Sequence, residues 1–471
     1  MERLYLLAPE GRGLLPLAAD GGAGFLDLVR VSGAAAGIVL PALWDHHGHV
    51  IPLGRSSEEV DLRDAPSPEA AVQKVQRRAA SLPPEAWIQG FGWDQNLWGG
   101  RFPHRFLLDR ALPGRPVLLW RIDGHAAWAS TEALHRAGLL EAATDPPGGA
   151  VQREDGLPTG VLLDAAAEAV RAAVPPPSTK DLERWILRGL RILAGRGLTG
   201  VTDMGLEVRE AKVFRRLDRK GVLPLQVRGY LRVSPGEPLP EFPIGEGEDF
   251  SVEGYKFFAD GALGSRGAAL HEDYADAPGC KGLLLWDTEA LREGLREAAA
   301  RKAAAAVHAI GDRALRQVLE AALPLRMGPA LRIEHVQVAG QEEVDLLAVS
   351  GAVASIQPCH RLSDEAWAPR RLGERMAGAY RVASLDRAGI PLRFGTDFPI
   401  EQPDPLRTLA AAVFHREEEA LVPYRALAFM RPPAGVQFVK PVLVLLERIP
   451  PSDGADWISE GWITLPPERT P

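Results

Sequence analysis

Four apolar segments of this chain have the β-rich composition of strands, and each ends in a side chain that can carry chemistry. The four residues at these ends are Lys256, His308, His335 and Asp397. Segments of helical character lie between the apolar runs, such as residues 288–305 and 341–350. Alternation of strand and helix along a chain predicts a parallel sheet joined by helical crossovers.

Other apolar runs raise the number of predicted strands to about eight, which is the number that closes a (β/α)8 barrel. These further strand candidates are residues 37–44, 86–90, 197–203 and 351–357. In such barrels the functional side chains lie at the carboxyl ends of the strands, and every candidate residue of this chain falls there.

A pair of histidines follows the first apolar run. His47 and His49 are two residues apart, so in an extended segment both imidazoles lie on one face and can be directed at one point. This arrangement can present two nitrogens to one metal ion. The His-X-His pattern also occurs by chance or as hydrogen-bonded surface histidines, so it is weak when taken alone.

Several longer motifs resemble the amidohydrolase superfamily, and within it the YtcJ-like branch, also called amidohydrolase family 3. The resemblance covers about residues 37–415. Its motifs are the segments around His47 and His49, the phrase from Tyr255 to Arg266, the phrase from Val307 to Ala314, the segment from Arg332 to Gln337, and the segment from Gly395 to Glu401. Shorter matches lie at 92–94, 123–125, 158–161 and 197–205.

The chain departs from the family pattern at Ala42, His46 and Ser130, and none of these changes removes a predicted ligand. The resemblance implies a small β-sandwich domain formed by the two chain ends, residues 1–40 with 425–471. The family motifs of that domain are only partly present in this sequence. The barrel is expected over residues 41–424, with an insertion at about 92–180.

Together with the residue types, the resemblance implies two divalent metal ions. His47 and His49 would bind the more buried ion, and His308 with His335 the more exposed one. Neutral imidazole suits zinc. Asp397 would contact the buried ion and act as the catalytic base, accepting a proton from the attacking water.

Lys256 requires a separate argument. A lysine ammonium about 4 Å from a divalent cation would cost roughly 8 kcal/mol at an effective dielectric constant near 20, so the amine cannot stay charged there. It is either neutral or has reacted with carbon dioxide to form a carbamate that bridges both ions, and the resemblance favours the carbamate. The alternative is an ammonium that pairs with Asp260 and leaves one metal site empty.

Trp93, His125 and His360 are predicted to line the substrate pocket, although aromatic residues are more often simply packed. By strand alternation Glu334 should point away from the metals, which indicates a structural role.

Composition excludes several classes of protein. The chain has 471 residues, 46% of them hydrophobic and 25% charged, which is typical of a soluble globular protein. A net charge of -8 gives no basic surface for nucleic acid. No apolar stretch is long enough for a membrane helix and the first residues lack a signal pattern, so we expect a cytoplasmic protein with a small-molecule substrate. A homo-oligomer is compatible with the sequence.

The predicted function is hydrolysis of an amide-like C–N bond in a small molecule by a metal-activated hydroxide. One alternative is a single-metal hydrolase or deaminase on the same barrel, and another is a non-catalytic binding protein with a relic site. The chain has 40 Pro and a single asparagine, Asn96, which favours a thermophilic source. A GC-rich genome is an alternative explanation for part of this composition.

Overall fold

The computed structural model describes residues 42–433, apart from positions 123, 125, 143, 147, 414 and 415, together with six short strands near the two ends. The predicted pocket residue His125 therefore lies outside the described residues. Contacts divide the chain into two compact units. One contains Met1–Gly54 and Leu182–Pro471, and the other contains Arg55–Asp181.

The first unit contains the predicted (β/α)8 barrel. Eight strands form one parallel sheet in which each strand pairs with the next along the chain. They are Leu43–Gly48, Leu198–Leu206, Gln226–Arg232, Phe250–Phe258, Ala304–Ala309, Leu331–His335, Val353–Ile356 and Leu392–Phe394. The last residue of the first strand, Gly48, forms a parallel bridge with Phe398, which follows the eighth strand. The expected fold is thus confirmed.

Helices follow most of the barrel strands and cover the sheet. The longer α-helices that lie wholly or mainly in this unit are Thr179–Gly195, Val208–Arg219, Thr288–Ala300, Asp312–Ala322 and Gln341–Ser350. The shorter ones are Val50–Ser56, Pro358–Asp364, Ala368–Leu372, Val382–Arg387, Pro405–Val413 and Pro423–Ala428. Single 3₁₀ turns lie at Leu323–Leu325, Gly328–Ala330, Gly373–Gly378 and Glu417–Glu419.

The helix Thr288–Ala300 shows how local sequence sets these elements. Asp287 caps its first turn by accepting from the backbone N–H groups of Glu289 and Ala290. Leu291, Leu295 and Ala298 form its buried stripe. The helix ends five residues before the predicted limit at 305, because the alanine run that follows belongs to the fifth barrel strand. The strand predicted at 304–308 overlapped this helix prediction at 304–305, because alanine has a strong helix preference.

The strand predictions needed three corrections. The candidate at 86–90 belongs to a strand, Ile88–Trp93, in the sheet of the other unit. The third barrel strand, Gln226–Arg232, was missed, because its polar side chains interrupt any apolar run. The run 37–44 contains parts of two strands, Ala36–Leu40 outside the barrel and Leu43–Gly48 within it. A continuous apolar run does not show where a chain passes from one sheet to another.

The second unit has its own mixed sheet of six strands. In spatial order they are Gly149–Glu154, Leu157–Asp164, Ala126–Ala129, Val117–Arg121, Ile88–Trp93 and Val60–Asp61. Its helices are Pro68–Ala79, Arg105–Ala111, Thr131–Arg136 and Ala165–Ala172, with a 3₁₀ turn at Gln95–Trp98. Trp93 stacks on Trp98 with ring centroids 5.8 Å apart, so aromatic residues form part of the core of this unit.

Strands from both chain ends pair in one antiparallel sheet. Their order is Ile463–Thr464, Val442–Leu446, Ala36–Leu40 and Asp27–Val29. A separate pair, Tyr5–Leu7 with Leu14–Pro16, is also antiparallel. The domain boundaries at 40 and 425 stay a prediction.

Candidate metal centre

Two histidines and one aspartate meet where the first and eighth strands end. His49 Nε2 lies 3.1 Å and His47 Nε2 lies 3.4 Å from the same oxygen, Asp397 Oδ1. The ligand atoms of these three side chains all lie within 4.8 Å of one another. The predicted His-X-His pair thus lies beside the carboxylate of Asp397, a residue about 350 positions away in the sequence.

Hydrogen bonds fix this junction. The buried carboxylate of Asp45 accepts from the hydroxyl of Thr396 at 2.7 Å and from the backbone N–H groups of Thr396 and His47 at 3.1 Å. The Asp397 N–H donates to the His47 carbonyl at 2.7 Å. Gly395 is needed for this close approach, because a Cβ there would lie 2.4 Å from the His47 nitrogen. Asp45 and Gly395 therefore set the distance between the two strand ends.

A second group of possible ligands uses Asp397 as well. The ligand atoms of His335, His360 and Asp397 also lie within 4.8 Å of one another. His308 is close to this group, with its ring centroid 4.4 Å from that of His335. The Nε2 atom of His308 lies 3.4 Å from an oxygen of Asp260. Asp397 is thus the residue common to both groups.

Left-handed backbone conformations direct two of these side chains. His335 and Asp397 have φ values of 76° and 58°, which residues with a side chain rarely adopt. Such conformations persist only where the surroundings impose them, and they concentrate at functional sites. They allow the chain to turn at the strand end while the side chain stays over the barrel mouth.

Lys256 is completely buried in the fourth barrel strand, and its Nζ has no hydrogen-bond partner among the described residues. Burial lowers the pKa of this amine from 10.5 to about 8, against the opposing effect of Glu334 and Asp397. The alternative pairing with Asp260 is not seen. The Asp260 carboxylate instead accepts from the backbone N–H groups of Ala269, Ile310 and Gly311.

Electrostatics favour the metal-binding form of three of these residues, whereas the pKa of His47 is raised because Asp397 and Glu334 outweigh the effect of its burial. Burial lowers the pKa of His308 to about 3 and that of His335 well below its usual value, so both imidazoles are neutral. Burial alone would raise the pKa of Asp397, but His47 and His49 hold it well below the usual range. Neutral imidazole and ionised carboxylate are the forms that bind divalent metals.

Glu334 is a residue whose contacts the sequence analysis missed. It is fully buried, and its Oε2 lies 2.7 Å from Nδ1 of His47. Its other oxygen accepts from Nε of Arg332 at 3.0 Å. Strand alternation would place Glu334 and His335 on opposite faces, but the left-handed turn at His335 lets both side chains reach the site. The Arg-X-Glu spacing on one strand was the available signal.

The other predicted pocket residues differ in their surroundings. His360 Nε2 is buried, lies 3.7 Å from Asp397 Oδ2, and has no hydrogen-bond partner among the described residues. His335 and His360 also line a small recess of about 10 Å³, together with Gln357, Tyr380 and Arg381. Trp93 is fully buried in the second unit and donates its indole N–H to the Leu119 carbonyl at 2.7 Å. Its substrate role stays a prediction.

These residues fit a metal centre by their chemistry. Nitrogen and carboxylate donors converge at the carboxyl ends of the barrel strands. Three buried nitrogens, Lys256 Nζ, His335 Nδ1 and His360 Nε2, lack hydrogen-bond partners within the described part of the chain. Buried polar atoms are ordinarily satisfied, and nitrogens such as these fit a bound cation or a carbamate when they are in the neutral form.

Comparison with known proteins also indicates the amidohydrolase family. The sequence pattern of the amidohydrolase family matches residues 33–437. YtcJ of Bacillus subtilis, named as an amidohydrolase, is 32% identical over 80% of this chain and 74% of its own. The Arabidopsis thaliana protein LONG AFTER FAR-RED 3 is 30% identical over 83% of this chain and 72% of its own.

An N-substituted formamide deformylase of Arthrobacter pascens is 28% identical over 68% of this chain and 63% of its own. An uncharacterized metal-dependent hydrolase from Pyrococcus furiosus has a similar structure, with a TM-score of 0.72 and 30% identity over 84% of this chain and 81% of its own. Among the described residues, no helix is both long and apolar enough to cross a membrane. The match over most of the chain shows that it belongs to the amidohydrolase family, as a metal-dependent hydrolase of YtcJ-like type.

Proposed function

We propose that this protein hydrolyses an amide-like C–N bond in a small molecule with the help of two divalent metal ions. The observation that carries the proposal is the convergence of four histidines, Asp397 and an unpartnered buried lysine at the carboxyl ends of the barrel strands. The proposed ligands are His47, His49, Lys256, His308, His335 and Asp397.

The donor types favour zinc, which would supply the Lewis acidity that activates water and polarises the scissile carbonyl. His47 and His49 would hold one ion with Asp397. His308 and His335 would hold the other, and Asp397 is also close enough to His335 to contact it.

Asp397 is the proposed proton carrier. Its oxygens face both histidine groups, and its pKa lies well below the usual range because of His47 and His49, so it is ionised and able to accept. It would take the proton of the attacking water and return it to the leaving nitrogen. This sequence leaves the carboxylate unchanged at the end of each cycle.

Lys256 is proposed to carry a carbamate. The neutral amine would attack carbon dioxide, forming an N–C bond as one C=O π bond opens to a carboxylate oxygen, and the N–H proton would leave to solvent; the carbamate would then serve as a metal ligand. The buried position, the lowered pKa and the absence of a hydrogen-bond partner for Nζ in the described chain support this assignment.

The substrate would lie beside His335 and His360, at the carboxyl ends of the barrel strands. His360 is proposed as a substrate-binding residue because its buried Nε2 is available for a hydrogen bond. A relative named for deformylation of N-substituted formamides supports the choice of amides as test substrates.

Metal analysis combined with a substrate panel tests the proposal. The panel pairs N-substituted formamides and other amides with cyclic ureides, phosphoesters and amino-substituted heterocycles. We expect two equivalents of metal, hydrolysis of an amide, loss of the activity after chelation, and its return with Zn²⁺. The exposed His135 provides a control, because His135→Ala should change neither metal content nor rate.

Other outcomes would contradict it in different ways. One equivalent of metal with release of ammonia from a heterocycle would indicate a single-metal deaminase. A folded protein that binds no metal and hydrolyses no member of the panel would indicate a binding protein with a relic site.

A further inference from the structure

The sixth barrel strand carries a buried ion pair that is separate from the proposed ligands but in contact with one of them. We propose that Glu334 and Arg332 are positioning residues that hold His47 in the ring orientation and tautomer needed to bind metal. The inference rests on the proposed function, since it assigns a role to residues that support the same site.

The contact with His47 defines the tautomer. Oε2 of Glu334 lies 2.7 Å from Nδ1 of His47, and both side chains are buried. A carboxylate cannot donate, so it accepts the Nδ1 proton. In the neutral, metal-binding form of His47 the lone pair is then on Nε2, the atom that lies 3.4 Å from Asp397 and faces the candidate metal site. Carboxylates that orient metal-binding histidines in this way also make the imidazole a stronger ligand.

Arg332 holds Glu334 in place and links it to neighbouring strands. Its Nε donates to Glu334 at 3.0 Å. Its Nη2 donates to the carbonyl of His46 at 2.8 Å and to the hydroxyl of Ser355 at 3.1 Å. These acceptors belong to the first and seventh strands, so the guanidinium spans three strands of the barrel. Glu334 therefore has little freedom to move away from His47.

A role in stability alone does not explain the pair well. Removing two charges from water is costly, and apolar residues of similar volume often stabilise a protein as well as a buried ion pair does. Apolar replacements could fill the space of Arg332 and Glu334, but they could not accept the Nδ1 proton of His47. The hydrogen bond to the histidine is thus the contact that requires a polar group at position 334.

Two double variants isolate this hydrogen bond. Both contain Arg332→Met, which avoids an unpaired buried cation. One adds Glu334→Gln, whose amide oxygen can still accept from His47, and the other adds Glu334→Leu, which is similar in size but cannot. The metal-free proteins are titrated with Co²⁺ or Zn²⁺, and their unfolding is measured without metal.

We expect the Leu variant to bind metal roughly 10–100-fold more weakly than the Gln variant, while their metal-free stabilities remain similar. The parent and the Gln variant should differ less. Equal affinities of the Gln and Leu variants would overturn the inference. A parent protein that binds neither metal would instead overturn the proposed function, so the two failures can be distinguished.

A second ion pair with a buried carboxylate and a partly exposed arginine provides the control. Glu343 is buried and accepts from Nε of Arg316 at 2.9 Å, and it makes no contact with the proposed ligands in the described structure. The same exchanges there, Arg316→Met with Glu343→Gln or Glu343→Leu, should leave metal affinity unchanged. A comparable loss of affinity in these controls would show a general effect of removing buried charge and would also overturn the inference.

Discussion

Gly395 is the position at which the smallest change should disturb the metal centre most. The change Gly395→Ala adds one methyl group, whose carbon would lie 2.4 Å from the backbone nitrogen and 2.6 Å from Cβ of His47. Ordinary contacts of a Cβ begin at 3.4 Å, so the first and eighth strand ends must separate by about 1 Å. The atoms in the way are backbone and the first side-chain carbon, which cannot rotate aside.

This separation should affect both stability and rate. The hydrogen bond from Asp397 N–H to the His47 carbonyl would lengthen from 2.7 Å to about 3.7 Å, beyond the range of a useful hydrogen bond. Its loss and the overpacking together suggest that the free energy of unfolding falls by about 2–4 kcal/mol. A shift of about 1 Å in a catalytic group can lower the rate roughly 100-fold.

Urea unfolding and kcat/KM on an amide substrate measure these two effects. The control is Gly264→Ala, because a Cβ at Gly264 would lie 3.4 Å from Trp367, an ordinary contact, and should change stability by no more than about 0.5 kcal/mol. The reasoning is refuted if Gly395→Ala unfolds within about 0.5 kcal/mol of the parent and keeps kcat/KM within about twofold.

Three further outcomes are expected. His308→Ala and His47→Ala should each lose metal and activity while the barrel stays folded, because each removes an imidazole ligand from a strand end. Metal analysis, an activity assay and circular dichroism measure these effects. Asp397→Asn has nearly the same shape but cannot accept a proton, so it should keep at least one metal ion and lose about 10²–10⁴-fold in kcat. The abundance of Pro and the single Asn predict a melting temperature above about 65 °C by calorimetry.

Each of these expectations can fail on its own. Full activity with unchanged metal content in either histidine variant would remove that residue from the ligand set. A rate within a few-fold of the parent for Asp397→Asn would mean that another group is the base. A melting temperature in the ordinary mesophile range would indicate that the Arg, Ala and Pro content reflects a GC-rich genome and not adaptation to heat.

The sequence predicted the barrel well because strands that end in chemically distinctive residues mark the barrel mouth. Lys256, His308 and His335 were placed on the correct strands from this pattern alone. The third strand was missed because its polar residues hide it from a search for apolar runs. Which sheet a strand joins depends on long-range pairing, so Ile88–Trp93 was assigned to the barrel although it pairs elsewhere.

The supporting contacts of the site were harder to predict. Strand alternation assigned Glu334 to the face away from the metals, and the rule failed because the backbone turns left-handed at His335. Backbone conformations of this kind are set by the surrounding structure rather than by the residue itself. The contacts of Asp45 and Arg332 reach residues on distant strands, and no local pattern specifies them.

The closure of the barrel also has a consequence for how the protein is made. His49 and Asp397 are separated by 348 residues in the sequence, and Asp45 and Thr396 by 351. During synthesis at about 5–20 residues per second, the histidine pair emerges at least about 17 seconds before the aspartate that completes its site. For most of its synthesis a nascent chain therefore carries two of the three side chains of this group, and the third follows only with the last barrel strand.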